Sequence, residues 1–153
     1  MTPQQLQLVR SSYAALGDAA PAMAVEFYRR LFAADPSAEA LFTDGPDVMS
    51  VKFADELDAI VEAISSFESF APRVSELAAR HVGYGVQIRH YRAVGEALIG
   101  ALAMHLAADW DDALEAAWRR AYNLVAEVMM AAAADATARA TAARRPGGRG
   151  PAG

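Results

Sequence analysis

Apolar side chains recur at three- and four-residue steps along most of this 153-residue chain, and this period constrains the fold more than any other feature. A period of three to four residues places side chains on one face of an α-helix, whereas a half-buried strand needs alternation at every second residue. No stretch of the sequence shows that alternation. The sequence therefore predicts an all-α protein.

Prolines, glycines and capping residues divide the pattern into about seven helices. Thr2 before Pro3 is typical of a helix start, and Pro72 is expected to open the fifth helix. Gly83 and Gly85 predict the end of that helix. The apolar stripes of the seven helices extend over about residues 6–16, 23–31, 41–42, 48–67, 74–81, 91–102 and 114–129.

The composition changes near the carboxyl end. Residues 139–153 read RATAARRPGGRGPAG, with four arginines and no large apolar residue. Such a segment cannot form a core. Residues 1–138 are therefore predicted to form one domain and residues 139–153 a disordered tail. A domain of this size buries roughly 68–70% of its unfolded surface, so it needs no disulfide or structural metal.

Charge and composition exclude several classes of function. The chain has no cysteine, which rules out disulfides, cysteine-ligated metals and cysteine nucleophiles and fits the cytoplasm. The net charge of −5 argues against a nucleic-acid partner. The amino-terminal segment lacks a signal pattern, and the apolar run at 97–108 is shorter than the roughly 20 residues that cross a bilayer. We expect a soluble cytoplasmic protein without a membrane partner.

Histidines are the best candidates for chemistry. His81 follows Leu77 by four residues on an apolar stripe, whereas His90 and His105 are expected at the surface. A histidine on a core-facing stripe is either a buried, hydrogen-bonded residue or a ligand. A haem needs one imidazole nitrogen on iron, a second nitrogen bonded to a fixed acceptor, and an apolar slot. No second histidine lies at ligand spacing from His81, which disfavours a zinc site made by protein alone.

Several sequence blocks keep a common order and spacing over about residues 2–135. They are FYRRLF at 27–32, Asp35-Pro36, Leu41-Phe42, LAARHVGYGV at 77–86, His90-Tyr91, VGEAL at 94–98, Trp118 and Ala121-Tyr122. Together they resemble bacterial single-domain haemoglobins and the globin domain of flavohaemoglobins. The resemblance implies a globin fold with about seven helices around a haem b pocket.

Residue roles follow from that resemblance. His81 would be the proximal iron ligand, Phe42 would wedge the haem in place, and Tyr28 would face the gas from the distal side. Each aromatic could instead be a plain core residue, and each polar group a surface one. The other cofactor-binding residues that the resemblance implies are Tyr91 behind His81, Arg80 toward a propionate, and Phe53 and Leu98 in the apolar lining.

Two positions depart from the family pattern. Met49 stands where flavohaemoglobins usually carry a distal glutamine, and Ala133 where their last helix supplies a glutamate. Distal stabilisation would then rest mainly on Tyr28, whose hydrogen bond is worth about 1 kcal/mol or somewhat more, or roughly tenfold in affinity. Without the glutamate, His81 should donate less electron density to iron, which would weaken peroxidase-like cleavage of an O–O bond. Direct approach of Met49 or Lys52 to the iron stays open.

Three functions remain at this point. The first is reversible binding of oxygen or another diatomic gas at ferrous iron, for carriage or storage. The second is nitric oxide dioxygenation, which would require a separate reductase because no flavin- or nicotinamide-binding pattern occurs among the 153 residues. The third is a haem-free sensor or interaction module, so enzyme status stays open. By analogy with the family, the protein is expected to be a monomer or a homodimer.

Overall fold

A computed structural model describes residues 1–83 and 85–145 of the chain. These residues form six α-helices and three short 3₁₀ segments, and no strand occurs among them. The all-α prediction is confirmed. The helices are α1 (Pro3–Leu16), α2 (Ala20–Ala34), α3 (Pro46–Ala63), α4 (Phe67–Gly83), α5 (Ile88–Leu106) and α6 (Asp112–Arg144), and the 3₁₀ segments are Gly17–Ala19, Pro36–Leu41 and Ala107–Asp109.

Side-chain caps fix the amino-terminal ends of the first and last helices. The Gln5 N–H donates to the Thr2 hydroxyl at 3.1 Å, and the Thr2 N–H donates back to the Gln5 side chain at 3.0 Å. This capping box satisfies two backbone donors that helix geometry leaves without partners. At α6 the Leu114 N–H donates to the Asp111 carboxylate at 2.8 Å.

Two helices differ from the prediction, the third in its type and the fifth in its first residue. The third is a 3₁₀ segment of six residues, because Phe42 leaves helical geometry at φ −112° and ψ 123°. The fifth, now α4, begins at Phe67 rather than Pro72. The backbone carbonyl of Ser66 accepts from the Phe70 N–H at 2.9 Å, so the helical hydrogen bonds begin well before Pro72. Pro72 therefore lies inside the helix, where it removes one backbone hydrogen bond.

The last helix is longer than expected. It continues to Arg144, into the segment for which a disordered tail is predicted. Residues 139–144 are helical and exposed, while residues 146–153 lie outside the described range. The division between domain and tail at residue 138 stays a prediction.

The helices enclose two apolar cores. α2 packs against α3 and α5, α4 packs against α6, and α1 packs against α6. The larger core unites α1, α2, α5 and α6 and includes Val9, Met23 and Leu102, all fully buried. The smaller core lies between α3, α4 and α6 and includes Val74 and Met129. In the described part of the chain, no helix combines the length and apolarity needed to cross a bilayer.

The first helix is tied to distant parts of the chain. The Trp118 indole N–H donates to the Ser12 hydroxyl at 2.9 Å across 106 residues of sequence. The Ser12 hydroxyl donates in turn to the Val9 carbonyl at 3.0 Å. The Tyr13 hydroxyl donates to the Ala54 carbonyl at 2.6 Å. Since these bonds are buried, α1 is held to α6 and α3 in one register.

A glycine allows α5 and α6 to approach closely. A Cβ atom at Gly95 would lie 2.6 Å from the ring of Tyr122, too near for any other residue. This approach lets the Tyr122 hydroxyl donate to the Tyr91 carbonyl on α5. The contact fixes the start of α5, where Tyr91 faces the interior.

Candidate functional site

A cavity of about 660 Å³ lies between α3 and α4 and extends to α2, α5 and α6. Cofactor and small-molecule sites generally occupy about 300–1,000 Å³. The lining is mostly apolar and aromatic. The structure brings all seven residues that were expected to contact a cofactor to this one cavity: Tyr28, Phe42, Phe53, Arg80, His81, Tyr91 and Leu98.

A cluster of five aromatic rings lies on the α2 and α3 side of the cavity, and four of them line it. This distal aromatic cluster consists of Phe27, Tyr28, Phe32, Phe42 and Phe53. Phe27 stacks on Phe53 with ring centroids 4.2 Å apart, and Tyr28 meets Phe42 edge-on at 5.2 Å. Each such pair contributes about 0.5–1.5 kcal/mol beyond the burial of its area. The cluster therefore gives the cavity one stiff, apolar wall.

The Tyr28 hydroxyl is the polar group of that wall. Burial raises the pKa of Tyr28 to about 12, so the hydroxyl keeps its proton at neutral pH and can donate it. Met49 lines the same part of the cavity and is 7% exposed. Because a thioether has no hydrogen to donate, Met49 cannot add a hydrogen bond to the one that Tyr28 offers.

His81 occupies the opposite wall near the end of α4. Its Nδ1 lies 2.9 Å from the Leu77 carbonyl. A carbonyl only accepts, so Nδ1 carries the hydrogen and Nε2 carries the lone pair. Burial lowers the pKa of His81, while the carbonyl contact acts in the opposite direction. The neutral imidazole that results is the form that binds a metal.

Tyr91 and His90 stand beside this wall at the start of α5. Tyr91 packs on the smaller core and lines the cavity, and its hydrogen bond to His81 stays a prediction. The expectation that His90 is a surface residue is wrong, since it is 4% exposed and lines the cavity. Its Nδ1 accepts from the Gln87 N–H at 2.8 Å, and its Nε2 lies 3.8 Å from the Asp35 carboxylate. His90 thereby joins α5 to the end of α2.

Charged side chains surround the rim of the cavity. Lys52 pairs with Asp44 at 2.9 Å. Glu56 on α3 lies 3.4 Å from Arg80 and 3.5 Å from Arg73, both on α4. The side chain of Glu56 is only 22% exposed.

The spacing of α3 contained a signal for Glu56. It follows Phe53 by three residues and precedes Ile60 by four, and those steps put all three on one helix face. The Leu77 carbonyl that orients His81 had no such signal, because a backbone group belongs to every residue.

The residues present fit the haem that the resemblance implies. The interior supplies apolar and aromatic contacts for a flat ring, and one wall supplies a neutral imidazole with its Nε2 lone pair. The rim supplies three cations, Lys52, Arg73 and Arg80, which suit the carboxylates of such a group. The donor set therefore agrees with a cofactor that is apolar over most of its surface and acidic at one edge.

Known proteins match the chain along most of its length. The family model described as Globin matches residues 25–129. The chain is 27% identical to the flavohemoprotein of Vibrio cholerae over 134 residues, which cover 85% of this chain and 34% of that protein. It is 30% identical to the flavohemoprotein of Halalkalibacterium halodurans over 134 residues, covering 85% of this chain and 32% of that protein.

A plant relative is of more similar length. The chain is 29% identical to an anaerobic nitrite reductase of Physcomitrium patens over 140 residues, covering 82% of this chain and 78% of that protein. By contrast, the chain spans about one third of the length of the flavohemoproteins that it matches.

Proposed function

The chain belongs to the globin family, and from this premise we propose that it holds haem b between α3 and α4 and binds a diatomic gas reversibly, oxygen first among them, for carriage or storage. The observation that carries the proposal is His81, which lines the cavity with Nδ1 bonded to the Leu77 carbonyl. When bound, the haem supplies a ferrous iron that takes up and releases such a gas.

Each wall of the cavity has a distinct task in this proposal. The Leu77 carbonyl holds the His81 ring so that Nε2 can bind the metal. Phe42 and Phe53 exclude water from the ligand side, which slows oxidation of the metal. Tyr28 donates its proton in a hydrogen bond to the gas. Leu98 and Tyr91 complete the lining near His81.

A second candidate is a redox reaction on a small nitrogen oxide. It is favoured by the relative named as an anaerobic nitrite reductase. Dioxygenation of nitric oxide would combine NO, O₂ and one electron into nitrate. A reductase would therefore have to supply one electron in each turnover. We further propose that the protein is cytoplasmic and that it is a monomer or a homodimer.

Absorption spectra of the ferric, ferrous and CO-bound protein test haem binding. His81→Ala should lose the metal–imidazole spectrum and retain haem poorly, and added imidazole should restore the spectrum. His105→Ala is the matched control. The His105 Nδ1 lies 3.1 Å from the Ala101 carbonyl, which is four residues earlier, as the Leu77 carbonyl is for His81. His105 does not line the cavity.

The outcomes separate the alternatives. A His81→Ala protein with an unchanged spectrum would overturn the role of His81. Wild-type protein that gives no Soret band after haem addition would favour the haem-free module. For the redox candidate, formation of more than one equivalent of nitrate from NO should depend on an added reductase, whereas a carrier should release oxygen and return to its ferrous form without one.

A further inference from the structure

Three charged side chains cross the edge of the cavity where α3 faces α4. Glu56 on α3 lies between Arg73 and Arg80 on α4, at 3.5 Å and 3.4 Å. We call these residues the rim triad. The two arginine side chains are 44% and 48% exposed, whereas the Glu56 side chain is 22% exposed. One largely buried carboxylate thus joins two solvent-facing cations across the edge.

The contacts within the rim triad are longer than those of strong ion pairs. A charge-assisted N–H···O bond is generally about 2.7–2.9 Å long. The Arg80 contact is longer than that, and Glu56 Oε1 is buried without a hydrogen-bond partner among the described residues. A buried acceptor in this state destabilises the arrangement. A second carboxylate at the edge could therefore compete with Glu56 for either guanidinium.

We propose that Glu56 is a placeholder carboxylate, which the propionates of the incoming haem displace from Arg73 and Arg80. The inference rests on the proposed function. Haem carries its two carboxylates on one edge and is apolar elsewhere, which matches an apolar interior with cations at the rim. The third cation of the rim, Lys52, is already paired with Asp44 at 2.9 Å. The two arginines are the cations whose partner is most easily exchanged.

The exchange has two consequences for the protein. In the apoprotein, Glu56 is paired with both guanidinium groups, so the propionates of hemin must displace it before they can pair with Arg73 and Arg80. In the loaded protein, Glu56 gives up the arginines to the propionates. Glu56 therefore lowers both the rate and the affinity with which the apoprotein takes up a haem that carries free propionates.

Uptake of hemin by the apoprotein, followed by stopped-flow absorption, tests this inference. Glu56→Gln keeps the shape of the side chain and removes its charge. We expect faster uptake and tighter binding of hemin by roughly two- to fivefold, the range for an ion pair that faces solvent. Hemin dimethyl ester, which lacks free propionates, should bind Glu56→Gln and wild type alike.

Two further variants serve as controls. Glu62→Gln makes the same change of charge on the same helix, where Glu62 is 69% exposed and pairs with Arg10 at 3.9 Å. It should alter neither ligand's uptake, which separates the rim triad from a general change in net charge. Arg73→Gln should weaken the binding of hemin and leave the binding of its dimethyl ester unchanged. Thermal unfolding of each apoprotein establishes that the variants fold.

Other outcomes would overturn the inference. They are an equal effect of Glu56→Gln on hemin and its ester, no effect on either, or weaker binding of hemin. The last result would mean that Glu56 supports the bound state. Failure of the proposed function is a different observation, namely that wild-type apoprotein takes up neither hemin nor its ester with a His81-dependent spectrum.

Discussion

The two walls of the cavity are built by different kinds of interaction. The distal wall consists of aromatic side chains that pack on one another, from the stacked pair Phe27 and Phe53 to the edge contact of Tyr28 with Phe42. The proximal wall is the side of the cavity that contains His81 and Tyr122. It is organised by hydrogen bonds between side chains and backbone. His81 uses the Leu77 carbonyl, and Tyr122 uses the Tyr91 carbonyl.

Because of this difference, the distal wall mainly contributes to the free energy of folding, and the proximal wall mainly fixes the position of the metal-binding nitrogen. Aromatic packing gains free energy from area and ring contacts, so substitutions there should reduce folding stability first. A backbone hydrogen bond adds little net stability but fixes one ring nitrogen in place. Changes on the proximal wall should therefore affect metal binding and helix spacing more than the overall free energy of unfolding.

Phe27→Ala should have the largest effect on stability. Phe27 is 3% exposed and stacks on Phe53, so truncation leaves a cavity inside the distal aromatic cluster. We expect a loss of about 3–5 kcal/mol in the free energy of unfolding, measured by urea denaturation of the apoprotein. Val25→Ala on the same helix, where Val25 is 48% exposed, is the control with little change. A loss near that of the control would contradict the stiff distal wall.

Gly95→Ala should have an intermediate effect on the proximal side. The added Cβ would overlap the Tyr122 ring, so α5 and α6 must move apart or the ring must turn. Overpacking of this kind costs about 1–3 kcal/mol. Gly45→Ala is the matched control, because a Cβ there meets no atom within 4 Å. Denaturation of both variants measures the difference, and equal stability would mean that the close approach is not needed.

Tyr28→Phe should have the smallest effect, confined to the ligand. Loss of one hydroxyl donor is expected to speed oxygen dissociation roughly tenfold, or about 1.4 kcal/mol. Since burial raises the pKa of Tyr28 to about 12, the wild-type rate should not vary with pH across the neutral range. Flash photolysis or stopped-flow mixing measures the rate.

Tyr13→Phe is the control for that experiment. The Tyr13 hydroxyl is also buried, but it donates to the Ala54 carbonyl and does not line the cavity. Its removal should reduce stability and leave oxygen dissociation unchanged. Equal rates in wild type and Tyr28→Phe would remove the hydroxyl of Tyr28 from the ligand site.

The helices and the apolar lining were predictable because periodicity is a local property of sequence. Steps of three and four residues located α1, α2, α3 and α5 and the start of α6 closely, and the resemblance selected seven residues that the fold brings to one cavity. The start of α4 was not predictable from Pro72, since a proline is tolerated inside a helix when one lost bond is offset by packing.

The polar details depended on the tertiary arrangement. His90 is polar and lies among arginines in the sequence, which indicated the surface, but the end of α2 covers it. Glu56 is one acid among several on α3, and its importance arises from two arginines on another helix. Charged neighbours that are distant in sequence leave no periodic signal.

The bond between Trp118 and Ser12 has a consequence for how the protein is made. Synthesis proceeds from the amino end, so the first helix emerges from the ribosome long before its partner residue is translated. Until then its apolar face has no α6 to cover it, and contacts of such long sequence separation form slowly. The nascent chain should accordingly remain open to chaperones and proteases until α6 has been released.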